Sequence, residues 1–491
     1  MNIFLFDSNF FFFSVEIFLS ISFFILFIFS TIYASSFFYN KPLIGRLILK
    51  LFVICSFLAI FLIIKNFWFI GNLTTSFFIF DFINILSKIV VILTAITCVL
   101  ISDNFLVNQK IIYFEYSLIL FMSVIAMLLL ISSYNILSFF LALELQSFCF
   151  YILASYKKDS VYSTEAGLKY FLLGAFSSAI LLFGGSLIYG FVGTTEFQSL
   201  IIITSSNYYD KSIINFGIIL IIIGFFFKLG AFPFHSWLPD VYEGSITSTS
   251  FFFAITSKIG LFVILCRFIL SNSDNVIFCW QYLFLISGLL SIFWGSFVAL
   301  KQEKIKRLLA YSSISHVGYL LLALTSVSIE GFYALFFYLI IYTFAIISVW
   351  CVVINVQNSI KFHRSPNLGD LCAIFSFNKN LAVSFLLAIF SMAGVPPLAG
   401  FYAKILVFLS VINANYFIVV TIALMITIVS TFFYIRLIKT SFFEKVSNVN
   451  LFTSLTTVQS NILSINSFML IFLFFNPLLI DILTYRLALN L

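Results

Sequence analysis

Five ionisable side chains, Glu144, Lys169, Lys228, Lys258 and Lys404, stand inside long apolar stretches of this chain. A lysine at the centre of a bilayer costs about 2.5–3.5 kcal/mol on insertion scales, so several of them imply an interior lined by protein and reached by water. Burial pushes a lysine toward its neutral form and a nearby carboxylate restores the charge, so moving either partner changes the proton affinity. A row of such groups passes protons without any cofactor. Glu144, within the run 134–156, is the acid at a depth comparable with the lysines, and is the natural counter-ion for one of them.

The stretches that hold two of these lysines are broken. In KLGAFPFHSWLPDVYEG, residues 228–244, Pro233 cannot donate to the carbonyl of Leu229 and clashes with it, which frees an acceptor one residue from Lys228. In SMAGVPPLAGFYAK, residues 391–404, Pro396 and Pro397 interrupt an apolar run and Lys404 follows within two turns. Broken membrane helices with an ionisable residue at the break mark ion paths. His235, just past Pro233, suits either a proton relay or a hydrogen bond to a freed carbonyl. His316, in KRLLAYSSISHVGYL, shares a helix face with Ser312 and Ser313, whose hydroxyls would link it to a path; a structural role is the alternative. Lys169 lies nearer one end of its stretch and suits either the path or a snorkelling role. His363 reads as a surface residue of the 361–366 loop.

The elements that must position these groups are membrane helices. Of 491 residues, 63% are hydrophobic and 9% charged, and the mean hydropathy is +1.18, which excludes a soluble globular domain. The expected class is an all-α, polytopic membrane protein. No removable targeting segment is expected, because the first apolar run outlasts a signal peptide, lacks a small-residue cleavage site and carries Asp7 and Glu16 at its start. The seven cysteines form neither a CxxC pair nor a metal-ligand spacing, so no metal site, Fe–S cluster or haem is expected. Without a G-x-G-x-x-G or a P-loop lysine, neither NADH nor ATP is expected on this chain. The 70 Phe and 23 Tyr, with abundant Ile and Asn, have A/T-rich codons, as in an organelle genome.

A window of about 20 residues finds spans near 13–34, 47–65, 78–102, 113–132, 134–156, 163–192, 212–238, 246–270, 276–300, 305–326, 330–356, 381–412, 415–439 and 462–484, fourteen in all. Loops after odd-numbered spans hold sixteen Lys and Arg, the opposite face only Lys65, Lys211 and Arg486, which places the odd loops inside and both termini on the other side. The net charge of +7 therefore reports topology, not nucleic-acid binding. Five spans separate the two breaks. Spans 4–8 and 9–13 thus read as two inverted five-helix repeats with broken helices at spans 7 and 12. The expected parts are a three-helix segment at 1–110, repeats at 111–272 and 273–445, and a last span at 446–491. Arg267, near a span end, is expected to snorkel, and Lys88 shares a helix face with Asp81 as a structural pair.

KLGAFPFHSWLPDVYEG followed by SKIG, YNILSFFLALELQSFCFYILASY, KRLLAYSSISHVGYL and MAGVPPLAGFYAK resemble chain 2 of NADH:ubiquinone oxidoreductase, respiratory complex I. Its bacterial form is subunit N, an antiporter-like pump of the membrane arm. The likeness covers spans four to thirteen, and VYEG, SKIG and the lysine after the PP break favour chain 2 over chains 4 and 5. Ile246 and Ser248 stand where the family has two prolines, so a straighter start to span eight is expected. The resemblance implies Glu144 and Lys228 as the carboxylate–lysine pair of the first half-channel, Lys258 as the central lysine, and Lys404 as the end of the path toward the next antiporter-like subunit. Lys169 resembles an additional span-six lysine, and His235 and His316 are candidate relays. It also implies proton translocation in the mitochondrial inner membrane by a subunit of the NADH:ubiquinone reductase, encoded in the organelle. NADH, FMN, Fe–S clusters and ubiquinone would be held by other subunits. The implied neighbours are the chain 4 antiporter-like subunit, the small chain 4L and chain 6 subunits, and lipids such as cardiolipin. Two alternatives stand beside this: a cation/proton antiporter subunit without redox coupling, and a plastid-type subunit of a plastoquinone reductase.

Overall fold

A computed structural model describes residues 13–34, 43–66, 73–74, 77–109, 111, 114–205, 211–271, 277–359, 366–372, 374–444 and 455–489. Lipid offers no partner to a bare N–H or C=O, so an apolar run must satisfy its backbone internally and becomes a helix. Thirteen of the described helices are long and apolar enough to cross a membrane. The remaining expected span, the twelfth, is made by two shorter apolar helices, Lys379–Ala393 and Ala399–Asn413. By contacts the chain divides into two compact units, one of Met1–Ile221 with Thr256–Asn275, the other of Ile222–Ile255 with Val276–Leu489.

The first unit contains α1 (Ser14–Ala34), α2 (Leu43–Asn66), a two-stranded antiparallel hairpin of β1 (Leu73–Thr74) and β2 (Ile79–Phe80), α3 (Phe82–Asn108), α4 (Phe114–Ser132), α5 (Ile136–Ala154), α6 (Val161–Val192) and α7 (Phe197–Ser205). It also takes the start of α8 (Lys211–Leu229) and most of α10 (Thr247–Leu270). α1 packs on α2 and α4, α3 on α2 and α4, and α5 on α4 and α6. Asp81 caps α3 by accepting from the Asn84 amide at 2.9 Å, and Asn135 with Ser138 forms a capping box on α5.

Two expectations are corrected here. Lys88 pairs with Glu16 of α1, not with Asp81, and both partners are buried. Asp81 instead holds Arg267 at 2.6 Å, and Arg267 also donates to the Ile131 carbonyl, so this arginine is a buried cross-link and does not snorkel. Spacing along one helix could not reveal either partner, because each comes from another helix. α7 follows directly after Glu196.

The second unit contains the end of α8, α9 (Trp237–Gly244), α11 (Ile277–Ala299), α12 (Ile305–Leu324), α13 (Ile329–Ser359), a 3₁₀ turn at Leu368–Leu371, α14 (Ile374–Phe377), α15 (Lys379–Ala393), α16 (Ala399–Asn413), α17 (Phe417–Phe442), α18 (Thr457–Phe475) and α19 (Leu478–Leu489). α11 and α12 touch backbone to backbone: a Cβ on Gly318 would collide with Ser291 and the Gly288 carbonyl. α13 is the hub, packed by α12, α15, α16, α18 and α19. The acids of VYEG are clamped by the basic start of α12, with Arg307 on Asp240 at 2.6 Å, Lys304 on Glu243 and Lys306 on the Ser245 carbonyl at 2.9 Å. The fourteenth span, expected unbroken over 462–484, is divided at Pro477 into α18 and α19. His363, with Lys361 and Arg364, lies outside the described residues.

Candidate functional site

Both breaks lie in the second unit, and glycine makes each of them. α8 ends at Leu229 because Gly230 adopts φ 72°, a left-handed conformation that an L side chain resists. The amide of Ala231 then bonds the Phe226 carbonyl at 2.9 Å and that of Gly230 bonds Phe227 at 3.2 Å, a Schellman closure. α15 ends the same way at Gly394, φ 81°, with Val395 on Phe390 at 3.1 Å and Gly394 on Ser391 at 3.1 Å. Each break also holds a cis peptide bond, Phe232–Pro233 and Pro396–Pro397. The expectation that Pro233 interrupts the helix at Leu229 is thus corrected: Gly230 has ended α8 before the proline arrives, and Pro233 lies in the turn beyond it.

Each break sets a lysine at a helix C-terminus, where the macrodipole is negative and a cation gains about 0.3–1 kcal/mol, more when partly buried. Lys228 lies in the last turn of α8 itself. Lys404 arrives from α16 and donates to the carbonyl of Ala393, the last residue of α15, at 2.7 Å. It is 6% exposed and lies 5.1 Å from the centre of the Tyr319 ring. Gly400 lets α16 come this close, since a Cβ there would collide with the Ser391 backbone.

His316 is buried beside this lysine's helix pair. Its Nδ1 meets the Tyr338 hydroxyl at 2.7 Å and its Nε2 the Tyr434 hydroxyl at 2.9 Å. A neutral imidazole donates from one nitrogen and accepts at the other, so exchange of tautomers reverses both bonds and carries a proton from one hydroxyl toward the other. The expected serines contribute differently. Ser312 and Ser313 bond back to Leu309 and Ala310 in their own helix, while Ser312 also neighbours the Tyr434 hydroxyl and Ser313 that of Tyr242. A cavity of about 10 Å³, close to what one water needs, is lined by His316, Tyr338, Tyr342 and Ser391 among others. Tyr319 stacks on Tyr338 with centroids 6.1 Å apart, so aromatic rings run from Lys404 to His316, while the buried Tyr319 hydroxyl bonds none of the described residues. His235 has a different setting, stacked on Phe232 at 5.4 Å and against Trp294 at 5.9 Å in the first break.

In the first unit, Lys258 is 3% exposed on α10. Glu144 sits on a face of α5 with Ser147, whose hydroxyl bonds the Glu144 carbonyl at 2.9 Å and reaches its Oε2 at 3.5 Å, and with Tyr151 one turn further. Lys169 is half exposed and pairs with Glu165 of its own helix at 2.8 Å, on an α6 face that also presents Leu168 and Leu172. Among the described residues no group of three or more His, Cys, Asp or Glu could hold a metal ion.

The tyrosines around His316 were missed from sequence. A signal existed: in a chain with 70 Phe, a Tyr inside a membrane span places a hydroxyl that seeks a partner, as those of Tyr338 and Tyr434 find at His316. Glu16 carried a weaker signal, read only as an acid at the head of a span.

A helical membrane protein with two glycine-capped breaks, each bringing a lysine to a helix end, defines the class of ion-translocating membrane proteins. Residues 133–431 match the family described as NADH:quinone oxidoreductase/Mrp antiporter, TM, and the chain belongs to that family. It is 36% identical to NADH-ubiquinone oxidoreductase chain 2 of Marchantia polymorpha over 99% of both chains. It is also 36% identical to NADH-quinone oxidoreductase subunit N of Pelagibacter ubique, over 75% of this chain and 77% of that one. Among solved structures, a chain of respiratory complex I from Thermus thermophilus superposes with a TM-score of 0.78 at 26% identity, covering 96% of this chain and 99% of that one.

Proposed function

We propose that this chain is a core membrane-arm subunit of respiratory complex I in the mitochondrial inner membrane, moving protons in response to NADH:ubiquinone electron transfer. NADH, FMN, the Fe–S clusters and ubiquinone belong to other subunits. Its neighbours are further membrane-arm subunits, the chain 4, chain 4L and chain 6 types among them, with lipids such as cardiolipin at its flanks. Likeness along the whole length to the Marchantia chain supports the assignment, and that relative's name supplies the redox partner reaction.

The observation that carries the mechanism is buried His316, bonded to the Tyr338 hydroxyl on one side and the Tyr434 hydroxyl on the other, with the Tyr319 ring packed between this group and Lys404. In this reading Glu144 and Lys228 are the carboxylate–lysine pair whose separation sets the proton affinity of the lysine, and Lys258 passes the proton on. Lys404 ends the path, with His316 as its relay and His235 and Lys169 as auxiliary groups. Spans 4–8 and 9–13 would be inverted repeats, which the likeness of the two capped breaks supports. Quinone reduction elsewhere changes the Glu144–Lys228 pairing, lowers the affinity of Lys228 and drives its proton through Lys258 toward Lys404.

Lys228→Ala and Glu144→Gln test this in the intact complex. Assembly should survive while quinone-linked NADH oxidation and proton pumping fall together; full coupled turnover in both variants would refute the mechanism. Native separation of membranes with an NADH-activity stain tests the assignment itself. Migration in a flavin-free assembly with sodium-dependent transport would transfer the chain to the cation/proton antiporters, and recovery in a plastoquinone-reducing complex to the plastid type.

A further inference from the structure

The first unit holds a buried charge cluster that the path above does not use. Glu16 of α1 and Lys88 of α3 form an ion pair with side chains 5% exposed each. The second oxygen of Glu16, Oε2, is buried and has no hydrogen-bond partner among the described residues. A carboxylate carries lone pairs on both oxygens, and leaving one unmatched in a buried site is costly unless water or a proton can reach it. Beside Lys88 lies a cavity of about 30 Å³, room for about two waters, lined by Val15, Ile63, Asn66, Phe80, Asn84 and Lys88.

The cluster is joined to the lysine row by one helix. α10 carries Lys258 and, further along, Arg267, which is fixed to Asp81 at the start of α3. Lys88 follows two turns later on α3 and lies within electrostatic reach of both Asp81 and Arg267. Among the described residues these are the charged groups that act on Lys88, and α2 adds the amide of Asn66. The start of α1, the end of α2, the start of α3 and the end of α10 all fall on the side to which the positive-inside rule assigns the termini.

We propose that Glu16 and Lys88 form a proton-binding site on the outer side of the first unit, loaded and emptied through the cavity at Asn66 and Asn84. In the loading step a hydronium ion in the cavity gives its proton to the Glu16 carboxylate, leaving a neutral carboxylic acid and water; in unloading the same proton returns to water. Lys88 is the counter-ion of the Glu16 carboxylate and sets how tightly the proton is held. The inference rests on the proton-translocating reading and adds to it a group at the outer end of the path.

The test uses membranes carrying the intact complex. Glu16→Gln and the double variant Glu16→Gln/Lys88→Met are compared for assembly, for NADH oxidation by an artificial acceptor and for protons released per NADH. The site predicts that both variants assemble and oxidise NADH while both release fewer protons per NADH. A structural pin predicts that the neutral double variant pumps at the wild-type ratio, which would overturn the proposal. A second measurement needs no variant: a hydrophobic carbodiimide adds to buried protonated carboxyls, and the adduct is located by mass spectrometry. Labelling of Glu16 that rises as the pH is lowered supports the site. No Glu16 adduct at any pH, in membranes where the reagent marks other buried carboxyls, overturns it. A wild-type chain in an assembly without NADH-linked pumping would instead be the failure of the underlying reading.

Discussion

The Lys404 ammonium bonds the carbonyl of Ala393 at 2.7 Å, so the lysine that follows the second break also seals the helix that precedes it. Two half-helices are tied by a group that the proposed mechanism needs to titrate. While protonated, Lys404 satisfies a helix end that has lost its next turn; once neutral it is a weaker donor at a negative dipole. In the proposed mechanism, proton transfer at this lysine would therefore be linked to the packing of α15 against α16.

Gly394→Ala should disturb this junction. At φ 81° an alanine costs about 1–2 kcal/mol, and its Cβ would also press on the Lys404 side chain. Thermal inactivation of NADH-linked activity should shift to lower temperature, whereas Gly369→Ala, where a Cβ meets nothing within 4 Å, should leave it unchanged.

His316→Gln keeps a buried side chain with a donor and an acceptor but cannot exchange them by tautomerisation. The complex should assemble, and coupled turnover should fall by about a hundredfold, the modest end of what a positioned proton-transfer group contributes. Tyr434→Phe removes one of the two partners at the ring and should slow turnover in the same direction. Coupled and uncoupled rates measured in both variants check this; unchanged coupled rates would remove His316 from the path.

Arg267→Met strands Asp81 as a buried charge, and breaking such a pair costs about 3–5 kcal/mol. The variant should fail to accumulate in native gels. Adding Asp81→Asn should restore much of the assembly, because a neutral amide in that place no longer needs a cation.

Cys372 reports on the loop after α13. Burial first, and then the Glu444 carboxylate with a side-chain oxygen 3.8 Å from Sγ, push its thiol above the ordinary value. A raised pKa leaves less thiolate at a given pH, so maleimide should react slowly near neutrality and faster as the pH rises. Glu444→Gln should move that rate profile to lower pH. An impermeant maleimide should reach the residue only from the side that holds the odd-numbered loops.

Much of this protein is legible in its residues taken alone. Hydropathy and length determine a bundle of membrane helices, since a continuous apolar run of about 20 residues satisfies its own backbone in lipid only as a helix. Gly-Pro clusters at 230–233 and 394–397 mark the two interrupted spans, and a lysine near each break is conspicuous for its insertion cost. Position in the chain also marks Glu144 and Lys258, because a charge in an apolar run is a local property. Partnership is not local. That Lys88 answers to Glu16, that Asp81 holds Arg267 136 residues beyond the Ile131 carbonyl that arginine also binds, and that His316 lies between Tyr338 and Tyr434 depend on which helices meet. Only the packed structure decides these, because period and composition tell which face of a helix is polar and not what faces it.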